Sequence, residues 1–413
     1  MHMMPIQISE RVSEFKESVT LKLNSQAVQM AKDGKDVLNL TAGQLPFKPD
    51  SKLVEGIKKE CNFLESFQYA PVPGKLTLRE KVIKEFVSDN SLEDNFELDC
   101  IISNGAKQSI SNVLCSIINP GDEVIILSPF WVSYPPLIEL YGGVVKLLES
   151  DFYENFVPGL EKLDNLISKK TKAIILNSPS NPSGIIYPKE WMSEFAKIMK
   201  AHPNLIIISD EIYRDLYYYD PRPSYFYNED QSLLDQTIVI GGISKSMAAT
   251  GLRIGWAIAN KNFVKTLSKL QGQLTSGANS LIQTALDKYE FSSTGEFLAP
   301  IKNHLRGNLK VLREEFDKSD LSHKWYQARG AFYFIIDFSG TNIHQKYIET
   351  SEDKSDYSEA ICQELLNSYG VACVPGSDFG LTNSARISLV SPKEEFLSAV
   401  RKITTAINSK VVC

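Results

Sequence analysis

Four residues able to do chemistry sit just beyond the ends of short apolar runs: an amine, an acid, an amide and a guanidinium. Lys245 closes Gly241-Gly-Ile-Ser-Lys after the run Thr237-Ile-Val-Ile240, and Arg253 follows in Thr250-Gly-Leu-Arg-Ile-Gly255. Asp210 closes the run Leu205-Ile-Ile-Ile-Ser209, and Asn181 lies in Ser178-Pro-Ser-Asn-Pro-Ser-Gly184 after Ala173-Ile-Ile-Leu-Asn177. If the runs are strands, all four groups stand at a sheet edge, where open α/β sheets bind small molecules. A lysine that can form an imine, beside a carboxylate and an anion clamp, points to pyridoxal phosphate chemistry.

The remaining parts of such a site can be sought by type. Ser103-Asn-Gly-Ala-Lys-Gln108 joins an apolar run to a helical pattern, so Gly105 allows a tight turn whose following N–H groups face an anion. Ser244 and Arg253 would add contacts to the same anion, the guanidinium through paired charged hydrogen bonds. A buried Asp210 would keep a ring nitrogen protonated, Asn181 and Tyr213 could donate to a ring oxygen, and Trp131 could stack on a flat cofactor. Each residue alone also has a plain reading, as a turn residue, a boundary tyrosine or a core tryptophan. The run before Asp210 also resembles the magnesium-binding strand of a nucleotide triphosphatase. That alternative needs Gly-Lys followed by Ser or Thr, and the pairs at Gly34 and Gly74 are followed by Asp36 and Leu76.

These groups must be held by a scaffold, and the chain's rhythm describes one. Between about residues 52 and 290, β-branched runs at Cys100–Ser103, Val124–Leu127, Ala173–Leu176, Leu205–Ile208, Thr237–Ile240 and Trp256–Ile258 alternate with amphipathic stretches such as Lys107–Ile118 and Pro188–Ala201. Continuous apolar runs fit strands covered on both faces, and the alternation predicts a three-layer α/β/α domain with a mostly parallel sheet. After residue 295 the pattern changes to a long charged helix, Asn303–Asp320, then strands at Ala331–Asp337, Val371–Val374 and Arg386–Val390. That predicts a smaller α+β domain. The expected division is 1–47, a segment packing with the small domain; 48–295, the large cofactor-binding domain; and 296–413, the small domain. The polar stretch Ser351–Asp356 reads as an exposed loop.

Composition narrows the setting. A chain of 413 residues exceeds the usual single core, so two domains are expected. The net charge of −6, with no long basic run, gives no support to a nucleic-acid or anionic-membrane partner. Six cysteines (Cys61, Cys100, Cys115, Cys362, Cys373, Cys413) show no Cys-x-x-Cys spacing and read as reduced thiols of a cytoplasmic protein. Five scattered histidines offer no metal site, and neither a membrane span nor a signal peptide is read.

The chain resembles the class I aminotransferases of pyridoxal-phosphate fold type I, particularly the bacterial-type aspartate aminotransferase subgroup. The resemblance runs from about Thr20 to Val390. It is carried by Asn104-Gly-Ala-Lys-Gln108, Asn177–Gly184, Ser209-Asp-Glu-Ile-Tyr213, Ser244-Lys245 with Thr250–Gly255, and Arg386-Ile-Ser388. It implies Lys245 as the lysine that binds the cofactor covalently and Asp210 as the partner of its ring nitrogen. It also implies Tyr213 and Asn181 at the ring oxygen, Trp131 stacked on the ring, and Gly105, Ala106, Lys107, Ser244 and Arg253 at the phosphate. Tyr69 would reach the phosphate of a neighbouring subunit, so a homodimer with shared sites is implied. Arg386 would clamp the substrate α-carboxylate, with Gly43, Trp131 and Asn181 beside it.

The implied activity is ping-pong transfer of an amino group between an amino acid and a 2-oxo acid, with aspartate or a related acidic donor and 2-oxoglutarate. An aromatic-amino-acid or prephenate aminotransferase is an alternative, as is a carbon–sulfur lyase or synthase on the same scaffold. The chain departs from the family pattern in three places. Ala42-Gly-Gln-Leu-Pro-Phe47 stands where relatives usually read Ala-Gly-Glu-Pro-Asp-Phe, Leu252 replaces a tryptophan, and Gly242 stands where some relatives have a serine.

Overall fold

Residues along the central strands alternate between two apolar cores, which is why their sequences are apolar throughout. Cys100, Ile102, Ile125, Ile174 and Ile207 join one buried cluster. Ile101, Val124, Ile126, Ala173, Ile175 and Ile208, their neighbours in the chain, join the other. Successive side chains of a strand point to opposite faces, so the sheet between the clusters is covered on both sides. The helix Ala106–Ile117 packs Ile110, Val113 and Leu114 on one face, while Leu76–Asp89 and Lys189–Ala201 bury Val82, Phe86 and Phe195 on the other.

The chain is described by a computed structural model over residues 6, 8–13, 19–93, 96–350 and 355–409. Its strands are β1 (Leu38–Asn39), β2 (Leu98–Ser103), β3 (Glu123–Leu127), β4 (Val144–Leu148), β5 (Thr171–Asn177) and β6 (Ile206–Asp210). They continue as β7 (Thr237–Gly242), β8 (Gly255–Asn260), β9 (Tyr333–Asp337), β10 (Val371–Ala372), β11 (Val374–Pro375) and β12 (Ser384–Ser388). Seven of them form one sheet in the order β2-β8-β7-β6-β5-β3-β4, parallel except where β8 pairs with β2 and β7.

The antiparallel β8 matters for the site. A parallel neighbour needs a crossover that carries the chain back to the opposite edge. Here the chain instead leaves β7, passes through the short helix Ile243–Ser246 with Lys245, and re-enters β8 from the same edge just after Arg253. Amine and guanidinium therefore stay at one edge, with the ends of β2, β5 and β6.

Three expectations need correction. The long helix begins at Thr294 rather than Asn303 and runs to Phe316, with Pro300 inside it. An internal proline costs ~3 kcal/mol, but Leu298, Ile301 and Leu305 on the same stretch are buried, each worth ~1.5–3 kcal/mol. The run Val371–Val374 is two strands: β10 pairs with β1 from the amino-terminal segment, and β11 pairs with β12, in a second sheet ordered β11-β12-β9. A short apolar run does not specify its partner, and β1 comes from the far end of the chain. The half-exposed edge strand β4 was not foreseen in the sequence. Residues 351–354 of the polar stretch, and Cys413, lie outside the described residues.

Candidate active site

The edge where β2, β5, β6 and β7 end opens into a cavity of about 750 Å³. Of the expected residues, Gly43, Ala106, Lys107, Trp131, Asn181, Asp210, Tyr213, Ser244, Lys245, Arg253 and Arg386 all line it. Gly105 stands behind the wall. Its φ of +91° suits glycine, and a Cβ there would lie 2.4 Å from Nη2 of Arg253. Arg253 itself holds a left-handed backbone (φ +55°), uncommon for a residue with a side chain. Its guanidinium donates to the carbonyls of Thr250 (3.0 Å) and Asn104 (3.4 Å), which places it over the start of Ala106–Ile117. A helix start flanked by Arg253 and Lys107 is a receptor for a phosphate.

Lys245 donates from Nζ to the carbonyl of Gly43 at 2.6 Å. Burial, then the cations of Arg386 and Arg253, push this amine down to about 8, against the opposing pull of Asp210. Asp210 is 4 % exposed, and its Oδ2 accepts from the Tyr134 hydroxyl at 2.6 Å while Oδ1 accepts from the backbone N–H of Ile212 at 3.2 Å. Burial raises this acid to about 6 despite those two bonds and the nearby Lys245. A buried carboxylate whose hydrogen-bond donors are both neutral suits a cationic nitrogen placed against it.

Arg386 is buried at the cavity wall. Nη1 donates to Oδ1 of Asn181 at 3.0 Å and Nη2 to the carbonyl of Thr41 at 3.1 Å, while Nε is buried without a hydrogen-bond partner. Its planar head lies between the rings of Tyr333 (4.3 Å) and Phe379 (4.9 Å). A fixed guanidinium with an unmet donor, facing a cavity, is ready for a carboxylate.

Several functional neighbours escaped the sequence reading. Tyr134 fixes Asp210; Asn177 donates to the Asp210 carbonyl (2.9 Å) and accepts from the Asn181 N–H (2.8 Å), locking the two loops together. Tyr333 shares a hydrogen bond with the Tyr213 hydroxyl at 3.2 Å, and burial lifts the Tyr213 phenol well above its usual range. Asn24, Asn39 and Thr41 line the mouth, and Gln44, at one of the departing positions, accepts from the Thr250 hydroxyl at 3.1 Å. Asn177 and Tyr134 stand inside or beside motifs already singled out, whereas Tyr333 looks like any core residue of an apolar strand. Tyr69 is not brought to the cavity. It is 94 % exposed and lies near Phe67 and Gly277–Ser280 on the outer surface.

Comparison with known proteins gives the same picture. A family model described as aminotransferase class I and II matches residues 35–403. An aspartate aminotransferase of Thermotoga maritima is 33 % identical over 405 residues, covering 98 % of this chain and 100 % of that protein. An aspartate/prephenate aminotransferase of Thermus thermophilus is 32 % identical over 399 residues, 96 % of this chain and 97 % of its own. The solved structure of the Thermus thermophilus aspartate aminotransferase with maleate superposes with a TM-score of 0.84 at 30 % identity, covering 97 % of this chain and 100 % of that one.

Proposed function

The chain belongs to the class I and II aminotransferase family, and from that premise we propose a pyridoxal-phosphate enzyme that moves an amino group from aspartate, or a related acidic donor, to 2-oxoglutarate. One observation carries the reading: a single cavity holds an amine pushed down to about 8, a buried acid and two guanidiniums. The buried Asp210 and the cationic helix start fit a cofactor with a basic ring nitrogen at one end and a phosphate at the other.

When bound, pyridoxal phosphate supplies an electron-poor ring that takes up the charge left as an α-proton departs. Asp210 holds the proton on the ring nitrogen, with Tyr134 fixing its carboxylate. Tyr213 and Asn181 donate to the ring oxygen, Trp131 covers the ring, and Gly105, Ala106, Lys107, Ser244 and Arg253 receive the phosphate. Arg386 grips the substrate α-carboxylate beside Gly43 and Asn181. Lys245 would hold the cofactor at rest, and its free Nζ would take the proton from the donor Cα and, in the second half-reaction, give one to the Cα of the 2-oxo acid.

An acidic donor needs a second cation for its side chain. The candidates are Lys107, which flanks the phosphate end of the cavity and lies 4.8 Å from the Trp131 ring centroid, and residues of a partner subunit. The relatives named for prephenate as well as aspartate support prephenate as a second amino acceptor. We take the enzyme to be a cytoplasmic homodimer. Exposed Tyr69, Phe67 and Leu64 support a paired surface, and no helix among the described residues is long and apolar enough to cross a membrane. The division at residues 47 and 295 belongs to the same proposal; the pairing of β1 with β10 supports it.

A panel of half-reactions tests donor and chemistry together, by following loss of the aldehyde cofactor's absorbance with single amino acids. Aspartate or glutamate should convert it fastest. Pyruvate and ammonia released without an acceptor would instead mark a lyase, and no conversion by any amino acid would leave only a cofactor-binding protein.

Tyr333→Phe separates two tasks of one side chain. The phenyl ring keeps its stacking on Arg386, but Tyr213 loses its hydroxyl neighbour, a change of about 1 kcal/mol. A kcat about fivefold lower with nearly unchanged KM is expected. A large rise in KM with normal kcat would assign Tyr333 to carboxylate binding instead.

A further inference from the structure

A second cavity, of about 460 Å³, lies behind the strands that carry the site. Asp210 lines the first cavity and its neighbour Glu211 the second, as alternation along the chain requires. The second cavity is walled by the end of helix Leu76–Asp89, the loop after β6 and the start of helix Thr294–Phe316, and Gly241, Gly242, Ser246 and Met247 form its floor.

Its polar groups are unfinished. Arg214 Nε and Nη2 and Glu211 Oε2 are buried without hydrogen-bond partners, a state native proteins seldom leave unfilled. Arg214 forms ion pairs with Glu211 at 3.6 Å and Asp89 at 3.5 Å, but neither contact is a hydrogen bond. Glu211 Oε1 is already taken by the hydroxyls of Ser209 and Tyr227. Lys302 lies 3.9 Å from the Tyr217 ring centroid and makes no ion pair among the described residues. Phe86, Trp256 and Phe291 supply flat apolar wall.

We propose that this cavity binds a free α-amino acid with an aromatic side chain, as a ligand that does not react. Its carboxylate meets Arg214 and Lys302, its ammonium meets Glu211 Oε2, and its ring lies against Phe86, Trp256 and Phe291. A zwitterion fits where a simple anion does not. Arg214, Arg222 and Lys302 are outnumbered by the carboxyl groups of Glu85, Asp89, Glu211 and Asp215, so an anion alone would face carboxylates. A purely apolar molecule would leave the same buried donors and acceptor unmet. The volume lies in the range of small-ligand sites.

L-Phenylalanine is the probe, titrated into the full-length holoenzyme after borohydride treatment to block the first cavity, with heat of binding and Trp256 fluorescence as readouts. One saturable site is expected. Lys302→Ala should weaken it about tenfold or more, the loss of one hydrogen bond to a charged group, and Arg386→Ala should leave it unchanged. Lys302 is half-buried at the rim, so that variant folds even where Arg214→Gln does not. Absence of saturation overturns the proposal. So does binding sensitive to Arg386→Ala but not to Lys302→Ala, or equal binding of 3-phenylpropionate or phenethylamine, which carry one charge each. Untreated protein gives the same readout if borohydride labels nothing, so failure of the cofactor assignment and failure of this site are told apart.

Discussion

Lys245→Ala should abolish turnover by at least about 10⁴-fold, because one atom is both the point of cofactor attachment and the proton carrier. The physical basis is the state of the amine. Burial and two nearby guanidiniums bring Lys245 down to about 8, so a useful neutral fraction exists near neutral pH, whereas an ordinary lysine is almost wholly protonated there. The wild-type protein, loaded with pyridoxal phosphate and trapped with borohydride, should gain mass on the peptide holding Lys245, and the variant should not. Label on Lys107, the other lysine lining the cavity, would overturn the assignment. The pH dependence follows with a definite sign. Below about 8 the amine is protonated and cannot attack an aldehyde, so cofactor uptake by the cofactor-free protein should speed up with rising pH and level off above about 8. A rate already flat at pH 6 would show that the amine is not the group being titrated.

How far the site could be read in the sequence depended on the length of chain over which each relation acts. Strands buried on both faces produce unbroken apolar runs, and polar residues that flank such a run fall near the sheet edge. Asp210 and Lys245 follow such runs and Arg253 precedes one, so all three could be located from local pattern alone. Relations between distant segments left no such mark. Tyr134 reaches Asp210 across 76 residues and Tyr333 reaches Tyr213 across 120, and nothing in the local sequence of either tyrosine names its partner. Arg386 came from family resemblance; its strand gave no hint that Tyr333 and Phe379 would clamp it. The direction of β8 was likewise silent, since apolar content is the same for either pairing. The consequence of that direction, Lys245 and Arg253 on one edge, is the feature on which the cavity is built.

Asp210→Ala should cost roughly 3–5 kcal/mol of transition-state stabilisation, the loss when one partner of a buried charge pair is removed, which is at least about a hundredfold in rate. Asp210→Asn separates charge from shape. The amide keeps an oxygen for Tyr134 but cannot hold a proton on a ring nitrogen, so its rate should fall nearly as far as alanine's. Stability should move the other way. Burial raises Asp210 from its ordinary range to about 6, so its favourable protonated state is complete below the unfolded value and is lost as pH rises through about 6. At pH 7 the cofactor-free protein therefore keeps a charged group where burial penalises charge, and asparagine removes that penalty. The cofactor-free Asp210→Asn variant should melt no lower than wild type at pH 7, while its cofactor-loaded form gains less from loading. Near-normal turnover in Asp210→Asn would show that the charge at this position is not what the reaction uses. A cofactor-free variant that melts well below wild type would show instead that Asp210 is held by the fold and not against it.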